Sequence, residues 1–235
     1  MDVPSPHRFA YTEALERIRV VLSELASETR QMVTDATTAV AGPSAGRTDT
    51  APIHAAAKRI RDRSDALDDD LVMLLALEAP VAGDLRLILG ALRIAAAIER
   101  MAGLANHIAA VADRRAPAPA LPAPLHPTIT RLGELCAHLV TQLVTAINSQ
   151  DPTAPQRVED ADDPIDETHR SLLSAVTSPD WPHGIEAAID LALLSRFYER
   201  FGDQAVTAAR QLARIDNPTA DVPSSTPAFG RAPAT

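Results

Sequence analysis

One helical pattern occurs twice in this chain, displaced by 100 residues, and any fold must accommodate both copies. In the later copy, Leu191–Leu212, apolar residues stand at Leu191, Leu194, Tyr198, Phe201, Ala205, Ala208 and Leu212, in steps of three and four. Residues so spaced share one face, so the stretch is a helix with a single buried stripe. Ala91, Ile94, Ile98, Met101, Ala105 and Ile108 keep the same register, and Glu99-Arg100 stands where the later copy has Glu199-Arg200. A chain that carries one helix twice is expected to carry its surroundings twice.

The flanking patterns bear this out as expectations. Leu15, Ile18, Leu22, Leu25, Met32 and Val33 mark a first helix from Phe9 to about Val40, stopped by the Gly-Pro-Ser-Ala-Gly run at 42–46. Ile60, Leu67, Leu71, Leu74 and Leu75 mark a second, from about Pro52 to Leu77, and a third runs from about Val81 to Arg115. Residues 116–127, rich in proline and alanine, cannot continue a helix and predict a stiff, extended linker. The three-helix pattern then returns. Ile129 to Ile147 is a fourth helix, about Pro155 to Val176 a fifth, and the sixth ends near Ile215. The expected fold is all-α: two antiparallel three-helix bundles in tandem, spanning 1–115 and 128–215. The Pro-, Ala-, Thr- and Ser-rich tail at 216–235 has little to bury and is expected to be disordered.

Composition removes several function classes. Aromatic residues are 3% of the chain, so the core rests on Leu, Ile, Val and Ala, which suits close helix packing. A net charge of −9 argues against nucleic acid as a partner. The single cysteine, Cys136, allows no internal disulfide, and no apolar run reaches the roughly 20 residues needed to span a bilayer. With no secretory leader pattern at the N-terminus, a cytoplasmic location without direct membrane insertion is expected.

The polar residues of the repeated helix point to one chemistry. Glu199 and Asp203 form E-x-x-x-D, and carboxylates four apart on a helix lie about 6 Å apart at Cβ, close enough to share a hard cation. The preceding helix offers Asp162 and Asp166 as D-x-x-x-D, with Glu159, Asp160 and Glu167 beside them and His169 a turn on. All-oxygen donors favour iron, manganese, magnesium or calcium over zinc at a thiolate site. Simpler readings stand alongside. An isolated E-x-x-x-D is commonly a solvated flank, Asp162-Asp163-Pro164 also reads as a helix N-cap, and Arg196, Arg200 and Arg210 can pair with these acids. His107 and His138 are assigned to packing, Cys136 to the core, His169 to a boundary and Trp181 to a cover over the bundle end. There is no Gly-rich phosphate loop, no G-x-S-x-G, no H-E-x-x-H, and no Glu-x-x-His of the helical di-iron oxidases. A binding or regulatory module therefore stands ahead of a catalyst.

The run Leu77-Glu-Ala-Pro-Val-Ala-Gly-Asp-Leu-Arg86, followed by Ala91-Leu-Arg-Ile94 and Glu99-Arg-Met101, resembles the first-repeat signature of the PhoU family. Leu194 to Ala205, LSRFYERFGDQA, resembles the second, and Asp162–Asp166 matches the acidic motif on the helix before it. The resemblance covers roughly 9–215. It implies a non-enzymatic regulator that restrains the high-affinity phosphate ABC transporter and the phosphate-sensing histidine kinase. It also implies multinuclear clusters of iron or zinc held by paired acidic motifs, with manganese and magnesium as further candidates, and a homodimer. Asp162, Asp166, Glu199 and Asp203 are the implied metal ligands of the second repeat. The first repeat keeps Glu99, but Gly103 replaces its partner acid, and Ala57 and Arg61 fall at the acidic positions of its second helix. The alternatives are a metal-independent helical adaptor and a helical metal-dependent enzyme.

Overall fold

Alternating apolar steps of three and four, interrupted by proline and glycine, produce six long helices. The computed structural model describes residues 6–149 and 151–216, with side-chain surroundings for 13–149 and 151–215. Helix α1 spans Pro6–Ala41, α2 Ala51–Glu78, α3 Ala82–Arg115, α4 His126–Asn148, α5 Ala154–Val176 and α6 Gly184–Asp216. Only one turn of 3-10 helix, Ala123–Leu125, is added, and no strand occurs among the described residues. The tail from 217 onward, expected to be disordered, lies outside the described residues.

Each repeat folds as an up-down-up bundle, and the two join face to face. Helix α1 lies antiparallel to α4, so that Asn148 Nδ2 donates to Ser23 Oγ at one end while Gly133 abuts Thr37 nearer the other. Helix α3 lies antiparallel to α6. These four make the central layers, with α2 covering α1 and α3, and α5 covering α4 and α6. One continuous apolar cluster runs through both repeats. Positions 91, 94, 95, 98, 101, 102, 105, 108, 109 and 112 of α3 are buried, and so are their counterparts 100 residues later on α6. The repeat seen in the sequence is thus a repeat of buried faces, and the two faces meet each other.

The ends of the α3–α6 contact break the symmetry. Near the start of α3, Gly90 lets the Ile215 side chain pack directly against the backbone, where any Cβ would collide with it. The equivalent of Gly90 is Asp190, and the equivalent of Ile215 is Arg115. There the contact is ionic: Arg115 Nε donates to Asp190 Oδ2 at 2.7 Å, and Arg114 lies 3.8 Å from Oδ1. The Asp190 side chain is 6% exposed. One end of the seam is apolar and the other charged, which opposes a reversed pairing of the two helices.

The linker at 116–127 packs on the bundle, with Ala120 and Leu121 buried against the core and His126 Nε2 meeting Leu121 O at 3.0 Å. Two readings need correction. Pro164 does not open a helix; it lies inside α5, which continues through it. Proline lacks the N–H that would bond Asp160 O, and both residues face solvent, where water can satisfy the carbonyl. His107 and His138 are exposed rather than packed, although His107 stacks on Phe197 with ring centroids 5.4 Å apart.

Candidate functional site

Helices α5 and α6 run antiparallel, which brings matching polar residues opposite one another. Arg210 Nη2 meets Glu159 Oε2 at 3.2 Å, Asp162 rests against Gly202, and His169 Nδ1 lies 3.0 Å from Ser195 Oγ. Between these contacts is an open cleft of about 610 Å³ whose walls include Glu159, Asp162, Asp166, Asp203, Gln204 and Arg210. The glycine at 202 makes room for this approach, since a Cβ there would strike Asp162 Oδ1 and displace the carboxylate. Glu199, one turn before Asp203, is held at Oε1 by Arg196 at 2.5 Å, and its side chain is 12% exposed.

The site is under electrostatic stress. Among the described residues, the buried side-chain oxygens left without a hydrogen-bond partner are Asp162 Oδ1, Glu199 Oε2 and Gln204 Oε1, all in or beside the cleft. A buried oxygen of this kind costs on the order of 1–3 kcal/mol, and more when charged. Burial raises the Asp162 carboxyl, the fields of Asp166, Asp203, Asp163 and Glu199 add to it, and the group is pushed up to about 7. Glu199 is raised by burial and by Asp203 and Asp166, against the opposing charges of Arg196 and Arg200. His169 is buried, not at a boundary, and is held below its ordinary value by burial and by Arg196. The Cys136 thiol, buried near Asp162, is pushed well up and stays protonated.

These four carboxylates influence one another, yet they do not form an assembled cage. Among the described residues no three His, Cys, Asp or Glu side chains converge closely enough to enclose a metal ion. Metal-free carboxylates are expected to stand apart, because their charges repel. The donor chemistry, the two orphaned carboxylate oxygens and the acid raised to about 7 fit a hard cation; gathering around one requires the side chains to turn inward. Arg210 pairs with Glu159 as its place beside the acids suggested, whereas Gly202 and Gln204 belong to the site without having been singled out as parts of it. A glycine in the middle of a helical stripe, with no turn nearby, was the available signal.

The first repeat differs. Glu99 receives Arg61 Nε at 3.3 Å, Gly103 has open space where a Cβ would stand, and Ala57 offers no ligand. Glu99 thus has one basic partner, Arg61, and one nearby acid, Asp68 of α2, whose carboxyl is raised by burial and by Asp65, Glu99 and Asp69; it is not joined by acids at the positions matching Asp162, Asp166 and Asp203. A separate polar cluster joins α2 to the end of α3: His54 Nε2 meets Asp113 Oδ2 at 2.7 Å and Nδ1 meets Asn106 Oδ1 at 2.6 Å, while Thr50 donates to Asp113 Oδ1. The bonds to Asp113 and Asn106 raise His54 above its ordinary value, against a weaker effect of burial. Burial would raise Asp113, but its bonds from Thr50 and His54 prevail and hold it below the usual carboxylate range.

Two face-to-face three-helix repeats around one core, with a carboxylate cleft on the second, define a tandem helical-bundle protein. The PhoU domain model matches residues 22–112 and 129–212, one copy in each repeat. Phosphate-specific transport system accessory protein PhoU homolog 1 of Mycobacterium leprae is 41% identical over 155 residues, covering 66% of this chain and 70% of that protein. The crystal structure of PhoU from Pseudomonas aeruginosa matches with a TM-score of 0.73 and 20% identity, covering 87% of this chain and 98% of that one. That of the phosphate transport system regulatory protein PhoU from Streptococcus pneumoniae matches with a TM-score of 0.77 and 18% identity, covering 88% and 97%. This chain belongs to the PhoU family.

Proposed function

We propose that this protein regulates phosphate uptake and phosphate-responsive signalling from the cytoplasm, as a homodimer and without catalytic turnover. It does so by contacts with the phosphate ABC transporter and the phosphate-sensing histidine kinase. The observation that supports this most is the match of both repeats to the PhoU domain, joined by a relative named as an accessory protein of phosphate-specific transport. No helix among the described residues is long and apolar enough to cross a membrane, so membrane association is borrowed from the transporter. Deleting the gene tests the reading. Phosphate-regulated transcription should escape repression at high phosphate, and the cloned gene should restore it. Unchanged repression in a strain without a paralogue would refute the proposal.

The second repeat holds a hard cation through Asp162, Asp166, Glu199 and Asp203, with iron, manganese, magnesium and zinc as the candidates. The orphaned oxygens of Asp162 and Glu199 support this part. A bound cation supplies positive charge to four mutually repelling carboxylates. Asp162 and Glu199 bring the buried oxygens, while the exposed Asp203 is the acid with most freedom to turn toward the ion. A metal-independent adaptor is the second reading, favoured by the lack of a three-residue convergence among the described residues.

A further inference from the structure

We propose that Arg61 is a tethered cation that takes the place of a metal ion in the first repeat, leaving the protein with one metal-responsive half. The inference rests on the reading of the second repeat as a cation site. It starts from the correspondence between repeats. Glu99 and Glu199 match at an interval of 100 on α3 and α6. On the outer helices Ile53, Ile60, Ser64 and Leu67 are buried in α2, as Val158, Ile165, His169 and Leu172 are in α5, an interval of 105. That interval pairs Ala57 with Asp162 and Arg61 with Asp166.

At the four matching positions the second repeat has Asp162, Asp166, Glu199 and Asp203, whereas the first has Ala57, Arg61, Glu99 and Gly103. At these positions four negative charges are replaced by one positive and one negative, while a further acid, Asp68 of α2, acts on Glu99 from outside the set. The helix pairing is the same in both: Asp166 and Glu199 act on each other across α5 and α6, and Arg61 bonds Glu99 across α2 and α3. The buried oxygens without partners among the described residues all belong to the second repeat. A fifth position follows the same division. Gly202 makes room for the Asp162 carboxylate, and its counterpart is the buried Ala102, whose methyl occupies that room. A guanidinium at the end of its own side chain cannot be removed by chelation or by metal starvation, so the first repeat keeps one charge state whatever the metal supply.

Two variants of the full chain test this. Asp166→Arg places the first-repeat arrangement in the second repeat. It should weaken manganese binding at least tenfold in titration calorimetry, and in chelator at pH 8 it should raise Tm by about 3 °C, a response sized for a chain of this length. The combined change Ala57→Asp, Arg61→Asp, Ala102→Gly and Gly103→Asp builds the second-repeat arrangement into the first; Gly103 has nothing within 4 Å to oppose it. This variant should bind twice as much manganese per chain as the unmodified protein. A folded combined variant that binds no additional manganese, or an Asp166→Arg variant that melts lower than the unmodified chain without metal, overturns the inference. If the combined variant does not fold by circular dichroism, the melting of Asp166→Arg decides alone. An unmodified chain that binds no manganese refutes the cation reading of the second repeat; the metal-free melting of Asp166→Arg then still supports or overturns the role of Arg61.

Discussion

Replacing Asp162 by asparagine should stabilise the metal-free protein, although it removes one acid of the D-x-x-x-D motif. The Asp162 carboxyl lies at about 7 in the folded protein, against an ordinary value of 3.8. The folded state therefore holds a proton that the unfolded chain has released, and stability falls as pH rises across that interval and levels off above about 7. At about 1.4 kcal/mol per pH unit the full penalty would approach ~4 kcal/mol. The carboxylate is only partly enclosed and lines an open cleft, so solvent screening brings the usable value to roughly 2 kcal/mol. Asp162→Asn should accordingly raise Tm by about 4–8 °C at pH 8 in chelator and by much less at pH 5. Thermal unfolding at both pH values, followed by circular dichroism, is the assay. An asparagine variant no more stable than the unmodified chain at pH 8, or one with the same gain at both pH values, would refute the electrostatic account of the cleft.

Other perturbations probe separate parts of the structure. Arg115→Ala removes the close partner of buried Asp190 and leaves Arg114 at 3.8 Å, which should lower the urea midpoint of unfolding. Gly202→Ala should push the mobile end of Asp162 aside, lowering manganese affinity at least tenfold in calorimetry while changing metal-free stability by less than about 1 kcal/mol. His54 should titrate above 6.5 by NMR; its bonds to Asp113 and Asn106 stabilise the fold below that pH, and the contribution is lost as pH rises through the raised value. His54→Gln should flatten the pH dependence of stability across that window.

The six helices were legible because each signal was local. Prolines, glycines and apolar spacing placed α3 and α6 within a residue of their observed ends, and the interval of 100 revealed the repeat before any contact was known. What depended on distant partners was not legible. Gly90 against Ile215 and Asp190 against Arg115 become meaningful only once α3 is known to run antiparallel to α6. The fifth helix was legible straight through Pro164, but the solvent exposure that lets proline sit inside α5, and so removes the N-cap alternative, is a tertiary fact. His107 and His138 lie one step from buried Ile108 and Leu139, and one step on a helix turns a side chain by about 100°, which carries both outward. In the site, the acids were readable as i,i+4 pairs, whereas the orphaned oxygens and the Asp162–Gly202 approach required the pairing of α5 with α6. Arg61 was legible as a misfit in the acidic pattern, but its bond to Glu99 was not.

Metal content per chain is the most direct test of the claim that the second repeat carries the cation site. The protein should be purified without chelator or nickel resin and measured by plasma mass spectrometry, beside Glu199→Gln/Asp203→Asn and Glu99→Gln. The unmodified chain and Glu99→Gln should carry the same amount of iron, manganese, magnesium or zinc, and the double variant should carry none. Acid should release the metal, and neutralisation in its presence should restore it, because the ligands bind as carboxylates. Equal loss from both variants, or no metal in the unmodified protein even after incubation with all four ions, would contradict the account.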